Sequence, residues 1–358
     1  MMKRTILSLC VALTSFCFCI SCQNSPRQML LSLDDNDEVI LDRNKNFVPV
    51  SRYGKWGFID DETRTLAIDI MFEHVGHFSE FIAPASIIDY GEELWGYIDT
   101  LGQWVITPRF NEAKDFSEGL AGVNVGGIWF YIDHSGDRSA FKCMQWTDIY
   151  DFSEGLAGVF DSAKRFQYID KTGTVIIPNN GMDDGAKFSN GLARVWSNWK
   201  VGFINRKGEY VIQPQYGNAH DFSDEMAAVK VGTMFDGKWG FIDNNNKMVI
   251  GALYDHAEDF NKGYACVAFD DKYFIIDKKG NVVSDTYDMI REYCDGLAPA
   301  SKDGKWGFVN RAGKLVIPLQ YNEVVPFGFN NGHCWVILGS NMIKIDRKGN
   351  VLMQGPRN

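Results

Sequence analysis

The sequence predicts an all-β fold, a tandem array of about nine three-stranded antiparallel repeats of roughly 36 residues each, covering residues 38–353. Three observations predict it. A five-residue motif, Trp56-Gly57-Phe58-Ile59-Asp60, returns at Trp95, Trp129, Phe166, Val201, Trp239, Tyr273, Trp306 and Met342, with successive copies 33 to 39 residues apart. Most copies run into a polar turn closed by glycine. An aromatic triplet at a spacing of three joins one unit to the next. A period of this length marks units that bury their apolar faces against neighbours and not alone.

The chain opens with Lys3 and Arg4 before an almost wholly apolar run, Thr5 to Ile20, too short to span a bilayer comfortably; it reads as a secretory signal. Cys19-Ile20-Ser21-Cys22 resembles the lipobox of bacterial lipoproteins. That resemblance implies acylation of Cys22 and a bacterial cell-envelope protein held to the membrane only by its N-terminal lipid. Plain secretion with cleavage nearby is the alternative. Residues 1–21 are assigned to the lipoprotein signal peptide, 22–37 to a polar tether and 354–358 to a C-terminal tail. Loss of residues 1–21 removes two cations and no acids, taking the net charge from −10 to −12. An acidic body without a basic stripe argues against nucleic acid and anionic lipid as partners. Cys143, Cys266, Cys294 and Cys334 lack metal-ligand spacing. They read as isolated thiols, although an oxidising compartment permits a bridge between units.

Residues 186–216 show one unit. Leu192 to Trp196 is a short β-prone run, and a polar corner at Ser197-Asn198 leads into Lys200 to Asn205. Asn205-Arg206-Lys207-Gly208 then leads into Glu209 to Gln213, which Pro214 ends. The pattern predicts three antiparallel strands joined by tight turns. In the middle strand, alternation places Trp56 and Phe58 on one side and Ile59 on the other. A strand apolar on both faces lies between layers, so successive units stack sheet on sheet. The repeated tryptophans are therefore read as core, and Gly57 as a close approach of a neighbouring backbone or ring.

The second turn recurs at Asp99–Gly102, Asp133–Gly136, Asp170–Gly173, Asp277–Gly280, Asn310–Gly313 and Asp346–Gly349. Asp or Asn at the first corner accepts backbone N–H groups, and glycine at the last tolerates a positive φ. One aspartate per turn is a turn signature, not the several close oxygens of a calcium loop. The connectors Phe110/Ala113/Phe116, Tyr216/Ala219/Phe222 and Tyr254/Ala257/Phe260 fit either a single helical turn or a twisted edge segment. Either way their rings form a ladder along the array.

Gly54-Lys55-Trp56-Gly57-Phe58-Ile59-Asp60, with its counterparts from Gly237 and Gly304, resembles the WG (or KWG) repeat of bacterial proteins. The Phe-Ser-Glu-Gly-Leu-Ala and Val-Ile-x-Pro stretches extend the resemblance over roughly residues 38 to 353. It implies a β-rich array on a secreted or surface protein, without a defined enzymatic role. It carries over no catalytic or ligand residue. Such an array either closes into a β-propeller-like ring or runs on as an open superhelix. Nine copies exceed the usual range of about 4–8 blades, and three strands are one short of a standard blade. The sequence therefore favours an open, curved, solenoid-like array, with the closed ring as the alternative. A degenerate hairpin over Glu38–Val50, centred on Ile40–Asn46, either caps an open end or completes a ring.

Catalytic motifs are absent: there is no Gly-x-Ser-x-Gly, His-Glu-x-x-His, Walker loop or dinucleotide fingerprint. His74, His77, His134, His220, His256 and His333 are scattered. No catalytic, cofactor-binding or metal-ligating residue is assigned, and an enzyme whose site is assembled from dispersed residues is the least favoured alternative. With the lipobox and WG-repeat resemblances, the expectation is a non-catalytic, envelope-anchored binding or scaffolding protein whose turns vary without disturbing the core and recognise a protein partner. Glycan binding is the second reading, because Trp104, Trp196, Trp199 and Trp335 lie off the motif and can present flat faces. Filling gaps between units is the structural alternative for those four rings.

Overall fold

The computed structural model describes residues 47–60, 65–138, 145–324, 328–329 and 332–356, and all regular structure in them is β-strand and tight turn. The signal peptide, the tether with Cys22, residues 38–46 of the expected hairpin and Cys143 lie outside the described residues, and the rest of that hairpin, Phe47–Val50, belongs to the first strand of sheet 1. Nine antiparallel sheets follow one another over residues 47–72, 82–110, 112–132, 148–177, 184–216, 218–254, 256–277, 289–321 and 323–356. Within each sheet the strands pair in chain order.

Sheet 5 shows the unit in full, with strands Asp184–Gly185, Leu192–Ser197, Lys200–Asn205 and Tyr210–Tyr216. The second and third pair without interruption from Leu192↔Asn205 to Ser197↔Lys200. The two-residue first strand comes from the aromatic connector, which is thus an edge strand and not a helical turn. It makes four strands in sheets 4, 5, 6, 8 and 9, where the sequence predicts three.

The motif glycine is fixed by the strand that follows the motif strand, the fourth in sheets 5, 6 and 8 and the third in sheets 1 and 2. In sheets 1, 2, 5, 6 and 8 that strand shifts register around the motif's third residue, as in Val201↔Tyr216, Phe203↔Ile212 and Ile204↔Tyr210. The bulge brings the Ile212 carbonyl beneath Gly202, where a Cβ would lie 2.5 Å from it. Gly57, Gly96, Gly240 and Gly307 would meet the equivalent carbonyl at 2.6, 2.4, 2.6 and 2.5 Å. The expected close approach is present, and its source is the adjoining strand of the same sheet. Other residues stand at this place where that strand is altered. Phe274 is in sheet 7, which has no fourth strand among the described residues. Gln167 is in sheet 4, whose fourth strand shrinks to Val175–Ile177.

Successive sheets pack face to face. Between sheets 5 and 6, Phe203, Ile212 and Tyr216 meet Ala219, Phe222, Ala227, Val229 and Ile242 in one buried cluster. The motif's third residue lies against the connector ring of the next sheet at almost every junction. Ring centroids are 4.8 Å apart for Phe58–Phe78, 4.9 Å for Tyr97–Phe116, 4.8 Å for Tyr131–Phe152 and 5.0 Å for Tyr168–Phe188. They are 4.9 Å apart for Phe203–Phe222, 4.7 Å for Phe241–Phe260 and 4.9 Å for Phe308–Phe329. The expected ladder is therefore real. Where tyrosine replaces phenylalanine, its hydroxyl donates across the junction, from Tyr97 to the Lys114 carbonyl and from Tyr168 to that of Ala186, both at 2.7 Å. The deepest positions belong to these rings and the following Ile; Phe241 and Ile242 are both 0 % exposed. Of the motif tryptophans, Trp129 and Trp239 are buried, whereas Trp56, Trp95 and Trp306 are half-buried. The core reading holds in full for two of them and in part for the other three.

Both terminal faces are covered as well. Val48, Val50 and Ile59 on the outer face of sheet 1 are at most 1 % exposed, and Ile337 on the outer face of sheet 9 is 3 % exposed. An open array would leave these side chains in water. The nine sheets read as blades of a β-propeller, which corrects the open, curved, solenoid-like array expected from the sequence to its alternative. The connector supplies the missing fourth strand, and differences in repeat length go into hairpins such as residues 231–237 rather than into the stack.

The aspartate turns form as expected. Asp277 Oδ1 accepts the N–H groups of Lys279 and Asn281 at 2.8 and 2.9 Å, and Asp346 Oδ1 accepts those of Lys348 and Asn350 at 2.8 Å. Gly280 and Gly349 close the turns at φ 83° and 84°. Side-chain bonds from Asn281 and Asn350, then the backbone bonds, hold both carboxyls below the usual range.

Two outcomes follow. Gly240→Ala drives a Cβ into the Ile250 carbonyl and should lower stability by about 1–3 kcal/mol in urea unfolding. Gly251→Ala, whose nearest neighbour would be Leu253 at 3.9 Å, should change little. Equal effects would refute the bulge account. For the turns, a folded pKa below the unfolded value of about 4 gives stability that is complete above that pH and lost as pH falls through the folded values. Asp277→Asn with Asp346→Asn should keep the urea midpoint at neutral pH and flatten its fall below pH ~4. An unaltered acid limb would contradict the assignment.

Candidate functional site

Each blade presents two rims. One carries the aspartate turns and the Ser-Glu-Gly corners, and its polar groups tie blade to blade. Glu118 accepts the Gly155 N–H at 2.9 Å and pairs with Lys171 at 3.1 Å. The Glu154 carboxylate accepts the Gly191 N–H at 3.0 Å and its main-chain carbonyl accepts from the Arg206 guanidinium, while Asp224 and Asp295 accept from Gly263 at 2.6 Å and Gly332 at 2.7 Å. Ser117, Ser153 and Ser223 donate to the carbonyls of Phe152, Phe188 and Phe260, each at 2.7 Å. Sequence reasoning missed this clasp. The signal available was the return of a carboxylate beside glycine once per repeat, at a corner with no local partner for it.

The opposite rim is built from the hairpins that lead into the motif strands. Five aromatic side chains among the described residues are at least 77 % exposed, and four of them, Tyr53, Tyr90, Trp199 and Phe235, stand at these tips. The fifth, Phe81, is on the other rim.

The four aromatics singled out in the sequence do not converge. Trp104 is half-buried, edge-on to Phe72 at 5.7 Å. Trp335 is half-buried on the outer face of blade 9, with the Lys344 ammonium 5.9 Å from its ring. Both fill space between elements. Trp196 and Trp199 come together, lining a cleft of roughly 530 Å³ with Asp183, Asp184, Asn198 and Met234. A neighbouring cleft of about 300 Å³ shares Trp196 and Asp184 and adds Tyr150, Asp151 and Lys187.

Local chemistry positions these groups. Asp183 Oδ2 accepts the Asn198 N–H at 2.7 Å and pins the hairpin tip. Asp184 accepts from the Gly185 N–H at 2.7 Å and the Tyr150 hydroxyl at 3.1 Å. Burial pushes the Asp184 carboxyl up, with Asp148 adding to the shift, and burial does the same to Asp151. Arg194 lies over Trp196 at 5.6 Å and pairs with Asp221 at 2.7 Å. Asn198 and Trp199 form the corners of the hairpin at φ 52° and 61°. Other blades place Gly54, Gly91, Gly127 or Gly304 at the second corner, as a turn of this hand favours. A tryptophan there carries a local strain of about 1–2 kcal/mol.

His74 bonds Glu93 at 2.8 Å, but the buried Ser86 hydroxyl donates to the same Glu93 oxygen at 2.7 Å and not to the imidazole. Burial pushes the Cys266 thiol up to about 12, and Cys334 is buried too, with Cys294 half-buried. Among the described residues no group of three His, Cys, Asp or Glu side chains could hold a metal ion, and no helix is long and apolar enough to cross a membrane.

The family model described as a WG containing repeat matches residues 95–129, 129–164, 202–233, 239–273, 273–306 and 306–341, more than half of the chain. The chain belongs to the WG-repeat family. No curated protein matches its sequence. Among solved structures, a crystal structure of the eukaryotic initiation factor is 12 % identical, with 89 % of this chain and 87 % of that chain covered and a TM-score of 0.51. BamB from Moraxella catarrhalis is 12 % identical, with 68 % and 87 % covered and a TM-score of 0.38. The first likeness concerns the fold alone.

The cleft separates the roles of its two rings. Trp199→Gly should raise stability by about 1–2 kcal/mol by relieving the turn. Trp196→Ala should lower it by about 2 kcal/mol, roughly half the range for a fully buried tryptophan. Urea unfolding of the two variants checks this, and destabilisation by Trp199→Gly would make that ring a packing element.

Proposed function

We propose that this WG-repeat protein is a non-catalytic scaffold that binds a protein partner through the hairpin rim of its propeller. In this reading an acylated Cys22 holds it at the bacterial cell envelope, on the outer-membrane, periplasmic or surface side. One observation carries the proposal: four of the five most exposed aromatic residues among those described stand at the tips of one rim. Large rings supply most of the energy in protein interfaces. At these tips they contribute little to the blade cores, so folding gives no account of them. On the opposite rim the carboxylates and serines are engaged in joining blades.

A photo-crosslinking amino acid placed at Tyr90 or Phe235 in cells should trap a discrete protein partner. The same group at Leu101, exposed on the other rim, should not. Adducts from Leu101 alone, or from none of the three, would contradict the reading. For the anchor, palmitate labelling should disappear in Cys22→Ser; label that persists would exclude it.

A further inference from the structure

We infer that the cleft between Trp196 and Trp199 receives a cationic side chain, arginine or lysine, from an extended segment of the partner protein. The inference rests on the rim reading above and adds the chemistry that one part of the rim recognises. The cleft of roughly 530 Å³ opens beside the hairpin tip and is lined by Asp183, Asp184, Trp196, Asn198, Trp199 and Met234. Trp199 is 79 % exposed, so its face is available to a ligand.

Donor and acceptor inventory selects the ligand class. Two carboxylates and a thioether offer acceptors only. The donors are the two indole N–H groups and the Asn198 amide, which already contacts the Ser197 hydroxyl at 3.4 Å. A neutral sugar presents hydroxyls that both give and accept, whereas guanidinium and ammonium groups only donate. The lining suits the second kind. Asp184 is half-buried, and the bonds it accepts come from neutral groups, the Gly185 N–H and the Tyr150 hydroxyl. Burial and the nearby Asp148 both oppose its ionisation, which a cation in the cleft would favour. Indole faces attract cations, as the Arg291 guanidinium 4.2 Å from Trp306 shows, and with Arg194 already over Trp196 at 5.6 Å it is the exposed Trp199 face that is open to an incoming cation. The net charge of −10 draws a basic segment towards the protein.

The test uses the purified protein and a labelled Gly-Gly-Arg-Gly-Gly peptide in fluorescence polarisation. Controls are the same peptide with neutral, isosteric citrulline and an uncharged oligosaccharide. Saturable binding of the arginine peptide is expected, at least tenfold weaker with citrulline and weakening further as salt rises. Trp199→Ala and Asp184→Asn, each with unchanged thermal melting, should both lose at least tenfold in affinity. Trp199 is exposed, so its variant remains informative if Asp184→Asn folds poorly. Equal binding of the citrulline peptide, preference for the oligosaccharide, or no binding of the arginine peptide would overturn the inference. If that happens while Tyr90 and Phe235 still yield cross-links, the rim reading stands and only the cleft assignment falls. Loss of both removes the rim reading as well.

Discussion

The tilted to edge-on contact between a motif ring and the connector ring of the following blade is the interaction on which the rest of this structure depends. A sheet of three or four short strands cannot bury both of its faces by itself. Phe203 with Phe222, or Phe241 with Phe260, turns two half-wet surfaces into one core at centroid distances of 4.9 and 4.7 Å. Burying each ring is worth roughly 1.5–3 kcal/mol, with about 0.5–1.5 kcal/mol more from ring geometry. The surrounding chemistry serves this contact. The bulged strand after the motif lies against the motif glycine without displacing the ring, and the Ser-Glu-Gly corners close the seam at the rim. Tyrosines add a donor to the next blade's backbone where phenylalanine would leave the carbonyl to other partners.

Much of this was legible in the sequence because it repeats. The period, the aspartate turns, the apolar middle strand and the ladder of rings each follow from residue types in phase. What escaped was whatever depends on geometry between units. Asp184–Gly185, the first strand of its blade, is too short to show β periodicity and reads in the sequence as an undecided connector, and a count of three strands favours an open array. The bulge beneath Gly57 or Gly202 has no signature beyond the glycine itself. Glu118 and Glu154 find their partners a full repeat away, at Gly155 and Gly191, a distance over which sequence alone names no pairs. The emphasis on tryptophan was also partly misplaced, because Phe241 and Ile242 lie deeper than Trp56, Trp95 or Trp306.

The candidate site was visible only in part. Trp196 and Trp199 were among the four aromatics picked out for lying off the motif, but Trp104 and Trp335 were chosen on the same ground and turn out to pack. What separates the two cases is the backbone. Trp199 sits at a corner where four other blades carry glycine, and its ring points into water. Asp183 and Asp184 belong to no motif of the sequence. They acquire meaning from the hairpin of the same blade, which carries the two indoles to their side. The fold thus divides its labour, with one rim joining blades and the other free to vary at its tips.

A double-mutant cycle across one junction tests the central claim most directly. Phe241→Leu and Phe260→Leu, singly and together, should show a coupling energy of about 0.5–1.5 kcal/mol in urea unfolding. Phe241→Leu combined with Phe116→Leu, which belongs to a distant junction, should be additive within about 0.5 kcal/mol. Additivity in the adjacent pair, matching the distant one, would show that the blades are not held together through these rings.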